Sequence, residues 1–114
     1  MPFIRTTTNE KLADEQVKSL SAEFGEAIEL IPGKSEKWLM LAFEDGIRMA
    51  FGGKSDGGMA MVEVQLLGSA ERESLDALTA ALTSVVSSVI GIEPESVYIN
   101  YTYFDTWGYS GSNL

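Results

Sequence analysis

A chain of 114 residues, of which 45% are apolar, has room for one modest core, so we expect a single domain over residues 1–114. Eight Lys and Arg against 17 Asp and Glu give a formal charge of −9, which argues against nucleic acid or an anionic membrane as a partner. The lack of Cys and His excludes disulfides, thiolate nucleophiles, histidine triads and the usual zinc ligands, and we predict neither a metal nor a cofactor.

Proton transfer near neutral pH must therefore use a shifted carboxylate, a Lys, a Tyr or the α-amino group. No segment reaches the ~20 consecutive apolar residues of a membrane-spanning helix. The first eight residues lack the apolar core of a secretory signal, so we expect residence in the cytoplasm.

The first half of the chain begins with a predicted strand and a predicted helix. Pro2 to Thr8 is rich in β-branched residues, which favours a strand. From Asp14 onward apolar residues recur at helical spacing, and Pro32-Gly33 ends the pattern. The apolar positions are Val17, Leu20, Phe24, Ala27, Ile28 and Ile31.

Two further strands are predicted before a glycine-rich loop. The apolar run from Trp38 to Phe43 predicts a buried strand. Asp45-Gly46 is a hairpin signal, so Ile47 to Phe51 is expected to pair back on that strand. Gly52 to Gly58 then forms a flexible loop.

The second half repeats this order of elements. Met59 to Leu67 predicts a strand, and leucines and valines from Leu75 to Val89 predict a helix that ends before Gly91. Val97 to Phe104 predicts another strand, and the Gly- and Ser-rich tail from Trp107 predicts a terminal hairpin or loop.

The two halves divide near residue 55 and form a pseudo-repeat of architecture. The fold class is therefore α+β, with two β-α-β units, one mixed four-stranded sheet and both helices on one face. The other face needs a cover, and self-association is the economical way to provide one.

Three stretches resemble the macrophage migration inhibitory factor family of the tautomerase superfamily. They are the opening Met1-Pro2-Phe3-Ile4, the loop Met49-Ala50-Phe51-Gly52-Gly53, and the late strand Val97-Tyr98-Ile99-Asn100-Tyr101. All three occur in order, at family spacing, in a chain of family length.

The resemblance implies a homotrimer whose sheets close into a barrel-like assembly, with active sites at the subunit interfaces. It implies an isomerase that performs keto–enol tautomerisation of phenylpyruvate-like 2-keto acids, or isomerisation of dopachrome-type compounds. The alternative is a cytokine-like binding or signalling protein with a protein receptor and a vestigial pocket. Export without a signal peptide is then an alternative to residence in the cytoplasm.

Pro2 is the predicted catalytic base. Once Met1 is removed, its nitrogen is a secondary amine, whose pKa burial and a nearby cation would lower toward neutrality. Such an amine suits general-base catalysis near pH 7. The alternative is that a proline at this position merely permits removal of Met1.

Lys34 and Leu67 are predicted to bind substrate through their alignment with family positions. The Lys34 ammonium would hold a carboxylate and help to lower the pKa of Pro2, while the Leu67 backbone N–H would bind an oxygen. The alternatives are a solvated lysine at a helix end and a core leucine.

Tyr98 and Asn100 are two residues apart on one strand, so their side chains leave the same face of the sheet. The resemblance implies that this pair reaches the active site of a neighbouring subunit, where it would bind the substrate. The alternatives are cross-strand packing for Tyr98 and an edge contact for Asn100.

Four aromatic residues are candidate pocket walls: Phe3, Trp38, Trp107 and Tyr109. Aromatic residues of a small domain often belong to the core, which is the alternative for each of them.

Overall fold

The centre of the fold is a mixed four-stranded sheet, described by a computed structural model that covers all residues from 1 to 114. The strands β1 (Pro2–Thr8), β2 (Met40–Glu44), β3 (Ala60–Leu67) and β4 (Val97–Phe104) lie in the order β2-β1-β3-β4. Parallel pairs join β1 to β2 and β3 to β4, and β1 and β3 run antiparallel. The predicted pair of β-α-β units is therefore confirmed.

Two helices, α1 (Asp14–Ala27) and α2 (Arg72–Ile90), pack on one face of this sheet, as predicted. The Gln16 side chain fixes the start of α1, because it accepts a hydrogen bond from the Ala13 N–H at 2.7 Å and donates one to the Val89 carbonyl at 3.2 Å. The fully buried core residues come from both layers: Ile4, Val62, Val64 and Leu66 from the sheet, and Leu20, Phe24, Leu78, Leu82 and Val86 from the helices.

The helix α2 is also long and apolar enough to cross a membrane when judged by length and composition alone. That criterion is weak evidence, since a core helix of the same length satisfies it equally well. Here Leu78, Leu82 and Val86 face the sheet and are fully shielded from solvent.

The predicted hairpin at Asp45-Gly46 is wrong. The segment after β2 turns toward the end of β1: the Asp45 carboxylate accepts a hydrogen bond from the Leu12 N–H at 2.9 Å, and the Ile47 N–H donates to the Thr8 carbonyl at 3.1 Å. Contacts distant in sequence thus decide the path of the chain, and β2 pairs with β1 alone.

Trp38 does not begin a strand, contrary to the prediction. Residues Glu36–Trp38 form a single 3₁₀ turn, in which the Trp38 N–H donates to the Ser35 carbonyl at 3.2 Å. The predicted terminal hairpin is present as β5 (Gly108–Tyr109) and β6 (Ser112–Asn113). Its two turn residues have positive φ, as the tight turn between the two strands requires.

The sheet face opposite the helices has no cover within one chain. It combines exposed apolar groups, such as Met40 and Tyr98, with a central Arg5 that lies 3.8 Å from Glu44 and 3.9 Å from Glu63. A second copy of the chain would bury this face, and the predicted trimer stays a prediction.

Candidate active site

A cavity of about 510 Å³ opens where β1 begins, beside the 3₁₀ turn and the terminal hairpin. It brings together five of the nine predicted site residues: Pro2, Phe3, Trp38, Trp107 and Tyr109. The other lining residues are Met1, Lys37, Leu39, Met40, Gln65 and Gly108. The wall is mainly apolar and aromatic, and no lining residue is acidic, which suits a small aromatic anion.

Two short elements hold the aromatic wall. The 3₁₀ turn presents Trp38, and its ring meets the Tyr109 ring edge to face, with centroids 5.3 Å apart. Trp107 packs against Phe104 at the end of β4, with centroids 5.9 Å apart. Trp38 and Tyr109 are partly exposed, so both rings retain free surface toward the cavity.

The cavity contains the start of β1, where Pro2 is buried. The nitrogen of Pro2 lies in the peptide bond to Met1 and has no basicity in this form of the chain. The Met1 carbonyl accepts a hydrogen bond from the Leu67 N–H at 3.1 Å, which extends the β1–β3 pairing by one residue. Leu67 therefore has its amide beside Pro2, as the substrate-binding prediction requires.

Lys34 reaches the same place from the loop after α1. Its ammonium donates a hydrogen bond to the Leu67 carbonyl at 2.9 Å, and the side chain is half-buried. Partial burial lowers the pKa of the Met1 ammonium below 8.0, and the positive charge of Lys34 lowers it further. This part of the molecule thus disfavours a positive charge on an amine.

Tyr98 and Asn100 lie far from Pro2 within one chain. In the sheet register Tyr98 is level with Met61 of β3, whereas Pro2 is level with Leu66, about 17 Å away along the strand. The Tyr98 ring is 60% exposed and contacts Phe51, with centroids 4.7 Å apart, at a second cavity of about 440 Å³. Asn100 is exposed on the uncovered face.

The structure adds one charged residue that sequence analysis missed. Lys37 lines the cavity, with its ammonium 5.0 Å from the centre of the Trp38 ring. In the sequence, Lys37 stands out only as a basic residue next to a tryptophan in an acidic chain. This pair of residues indicates a site only once the 3₁₀ turn is known.

The family comparison decides the classification. All of residues 1–114 match the protein family described as Macrophage migration inhibitory factor (MIF). The chain belongs to this family. A search of curated protein sequences found no match.

Solved structures of other proteins, two of them named as MIF or MIF-like, share the fold. MIF2 of Leishmania major superposes with a TM-score of 0.93 at 28% identity, covering 100% of this chain and 97% of that one. The MIF-like protein of Entamoeba histolytica gives a TM-score of 0.86 at 21% identity, with 99% and 98% coverage. A third match is Pt0534 inactivated by 2-oxo-3-pentynoate, with a TM-score of 0.80, 20% identity, and 90% and 85% coverage.

Family membership and the shared fold support an isomerase activity of the tautomerase type in general terms.

Proposed function

We propose that this protein is a keto–enol tautomerase of phenylpyruvate-like 2-keto acids, with Pro2 as its general base after Met1 has been removed. One observation carries the proposal. The Met1 carbonyl accepts the hydrogen bond that the Leu67 N–H donates, and the Met1 amine lies beside Lys34. Loss of Met1 would therefore free the Pro2 nitrogen, an amide donor and a lysine at one place.

The expected reaction moves one proton between carbon and oxygen. The Pro2 nitrogen removes a proton from the carbon next to the keto group, and the electrons of that C–H bond form the carbon–carbon double bond. The carbonyl π electrons move to oxygen, which takes up a proton to give the enol. The protonated Pro2 releases its proton and becomes a base again.

The charged and polar groups have separate roles. Lys34 would bind the substrate carboxylate and keep the pKa of the Pro2 amine low. The Leu67 N–H would donate to a substrate oxygen, in the position that the Met1 carbonyl fills now. Trp38 and Tyr109 would contact the aromatic ring of the substrate.

Tyr98 and Asn100 could act at the proposed site only if several copies of the chain assemble, because both lie far from Pro2 within one chain. Family membership supports self-association in general, and in the proposed trimer these residues of one subunit would complete the site of the next. Their exposure on the uncovered face leaves them free for such a contact.

Phenylpyruvate turnover tests the proposal on protein whose first residue is shown by mass spectrometry to be Pro2. We expect Pro2→Gly to lower turnover by roughly 10²- to 10⁴-fold, the usual contribution of a general base. Protein that retains Met1 is the matched control, since it keeps every side chain but lacks the free amine. Wild-type protein without turnover would leave the signalling alternative, while activity in Pro2→Gly within a factor of two would remove Pro2 from the mechanism.

A covalent inactivator gives a second measurement. Pt0534 is described as inactivated by 2-oxo-3-pentynoate, a 2-keto acid with an electrophilic alkyne. We expect the same compound to add once to this chain, with peptide mapping placing it on Pro2. Protein that retains Met1 should stay unmodified at that residue.

A further inference from the structure

The Lys37 side chain is a cation without an acidic partner at the mouth of the cavity. Its ammonium lies 5.0 Å from the centre of the Trp38 ring. The four ion pairs of the chain all use other residues. The carboxyl group of the adjacent Glu36 packs against Gly25 of α1.

The local charge is opposite to that of the whole chain. The protein carries 17 acidic residues against eight basic ones, yet the lining of this cavity contains Lys37 and no acid. Lys34 supplies a second cation beside Met1 and Leu67. An anion is thus favoured locally at two points, although the net field of the protein repels it.

The aromatic rings of Trp38 and Tyr109 lie beside Lys37. Trp38 packs edge to face on Tyr109, and the same tryptophan ring is the one that Lys37 overlies. A substrate held at Pro2 by its keto-acid group and packed along these rings would bring its far end to Lys37. In the proposed binding mode the keto-acid carboxylate would bind Lys34, which would leave Lys37 for a second anionic group.

We propose that Lys37 forms an anion subsite and that the enzyme prefers 2-keto acids with a second anionic group on the far side of the aromatic ring. This inference rests on the proposed function, because it assigns the substrate class of the same site. Since Lys37 is exposed, solvent screens its charge, and we expect a gain of about threefold to fivefold.

A pair of substrates measures the effect: phenylpyruvate and 4-carboxyphenylpyruvate, which differ by one carboxylate. The measured quantity is kcat/KM for 4-carboxyphenylpyruvate divided by kcat/KM for phenylpyruvate. It is determined for wild type, for Lys37→Gln, and for the control Lys18→Gln on the outer face of α1. We expect Lys37→Gln to lower the ratio threefold to fivefold and Lys18→Gln to leave it unchanged. High salt should lower the wild-type ratio as well. An unchanged ratio in Lys37→Gln would overturn the subsite.

Calorimetric titration separates failure of the subsite from failure of the proposed function. If wild type turns over neither compound, the tautomerase proposal fails. The affinity for 4-carboxyphenylpyruvate then shows whether Lys37 forms an anion subsite. Weaker binding of this dianion to Lys37→Gln, with unchanged binding to Lys18→Gln, would still support the subsite. Equal affinities in all three proteins, or no binding to any of them, would reject it.

Discussion

Replacement of Lys34 by alanine tests the two roles expected of this residue. In the structure its ammonium donates to the Leu67 carbonyl at 2.9 Å. A hydrogen bond that involves a charged group contributes about 1.5–3 kcal/mol, and about 1.4 kcal/mol corresponds to a factor of ten. The half-buried side chain is partly screened by water, so we use the lower limit. We therefore expect Lys34→Ala to raise the KM for phenylpyruvate about tenfold.

The same substitution should move the pH profile. Partial burial lowers the pKa of the Met1 amine most, and the positive charge of Lys34 lowers it further. Loss of that charge raises the pKa of the Pro2 amine, and a base works only when it is unprotonated. The acidic limb of the pH–rate profile should accordingly shift to higher pH, because Pro2 then becomes protonated, and stops acting as a base, at a higher pH.

The methyl ester of phenylpyruvate separates these two effects. It lacks the carboxylate, so Lys34→Ala should shift its pH profile but raise its KM only slightly. Lys34→Arg is the matched control, since it keeps the positive charge and should keep the profile close to wild type. An unchanged KM and an unchanged profile in Lys34→Ala would refute the reasoning and make Lys34 a solvated residue after α1.

The remaining predictions concern stability and assembly. The Thr6 hydroxyl is buried without a hydrogen-bond partner, so Thr6→Val should raise the free energy of unfolding by about 1 kcal/mol in urea titrations. The Thr8 hydroxyl donates to the Met59 carbonyl at 2.8 Å, so Thr8→Val should lower it by about 1–2 kcal/mol, and shifts of equal sign would contradict this contrast. Light scattering should give about 37 kDa, three times 12.4 kDa, and a stable monomer at micromolar concentration would rule out a site shared between subunits.

The main elements were predictable because their apolar residues recur with the right period. Ile4, Val62, Val64 and Leu66 alternate along β1 and β3, and all are fully buried against the helices. The glycine after α2 was also informative, since Gly91 has a φ of 82° and ends that helix in a left-handed conformation. Local sequence patterns were therefore sufficient to predict the sheet layer and the helix layer of the fold.

The hairpin error arose where local and distant contacts compete. Asp45-Gly46 favours a tight turn, and Gly46 does adopt a positive φ of 62°. The Asp45 carboxylate nevertheless binds the Leu12 N–H, 33 residues earlier in the chain. A partner so distant in sequence cannot be recognised from a dipeptide, so the predicted return strand was placed wrongly.

Lys37 was missed for a related reason. The predicted strand began at Trp38, so Lys37 lay outside every predicted element and its side chain had no expected direction. The 3₁₀ turn at Glu36–Trp38 brings both side chains to the cavity instead. The resemblance predicted Pro2, Lys34 and the aromatic candidates, but it gave no sign of a cation whose position depends on this turn.

The hydrogen bonds around Leu67 would suit its backbone N–H to the proposed binding of a substrate oxygen. The Leu67 carbonyl is held by Lys34 at 2.9 Å, and the next N–H, that of Gly68, donates to the Phe104 carbonyl at 2.9 Å. Removal of Met1 would free the Leu67 N–H while both flanking bonds remain. A donor fixed in this way needs little reorganisation as negative charge develops on the substrate oxygen, which makes its stabilisation effective. The contribution should therefore be insensitive to the Leu67 side chain and sensitive to the Lys34 bond that holds the peptide.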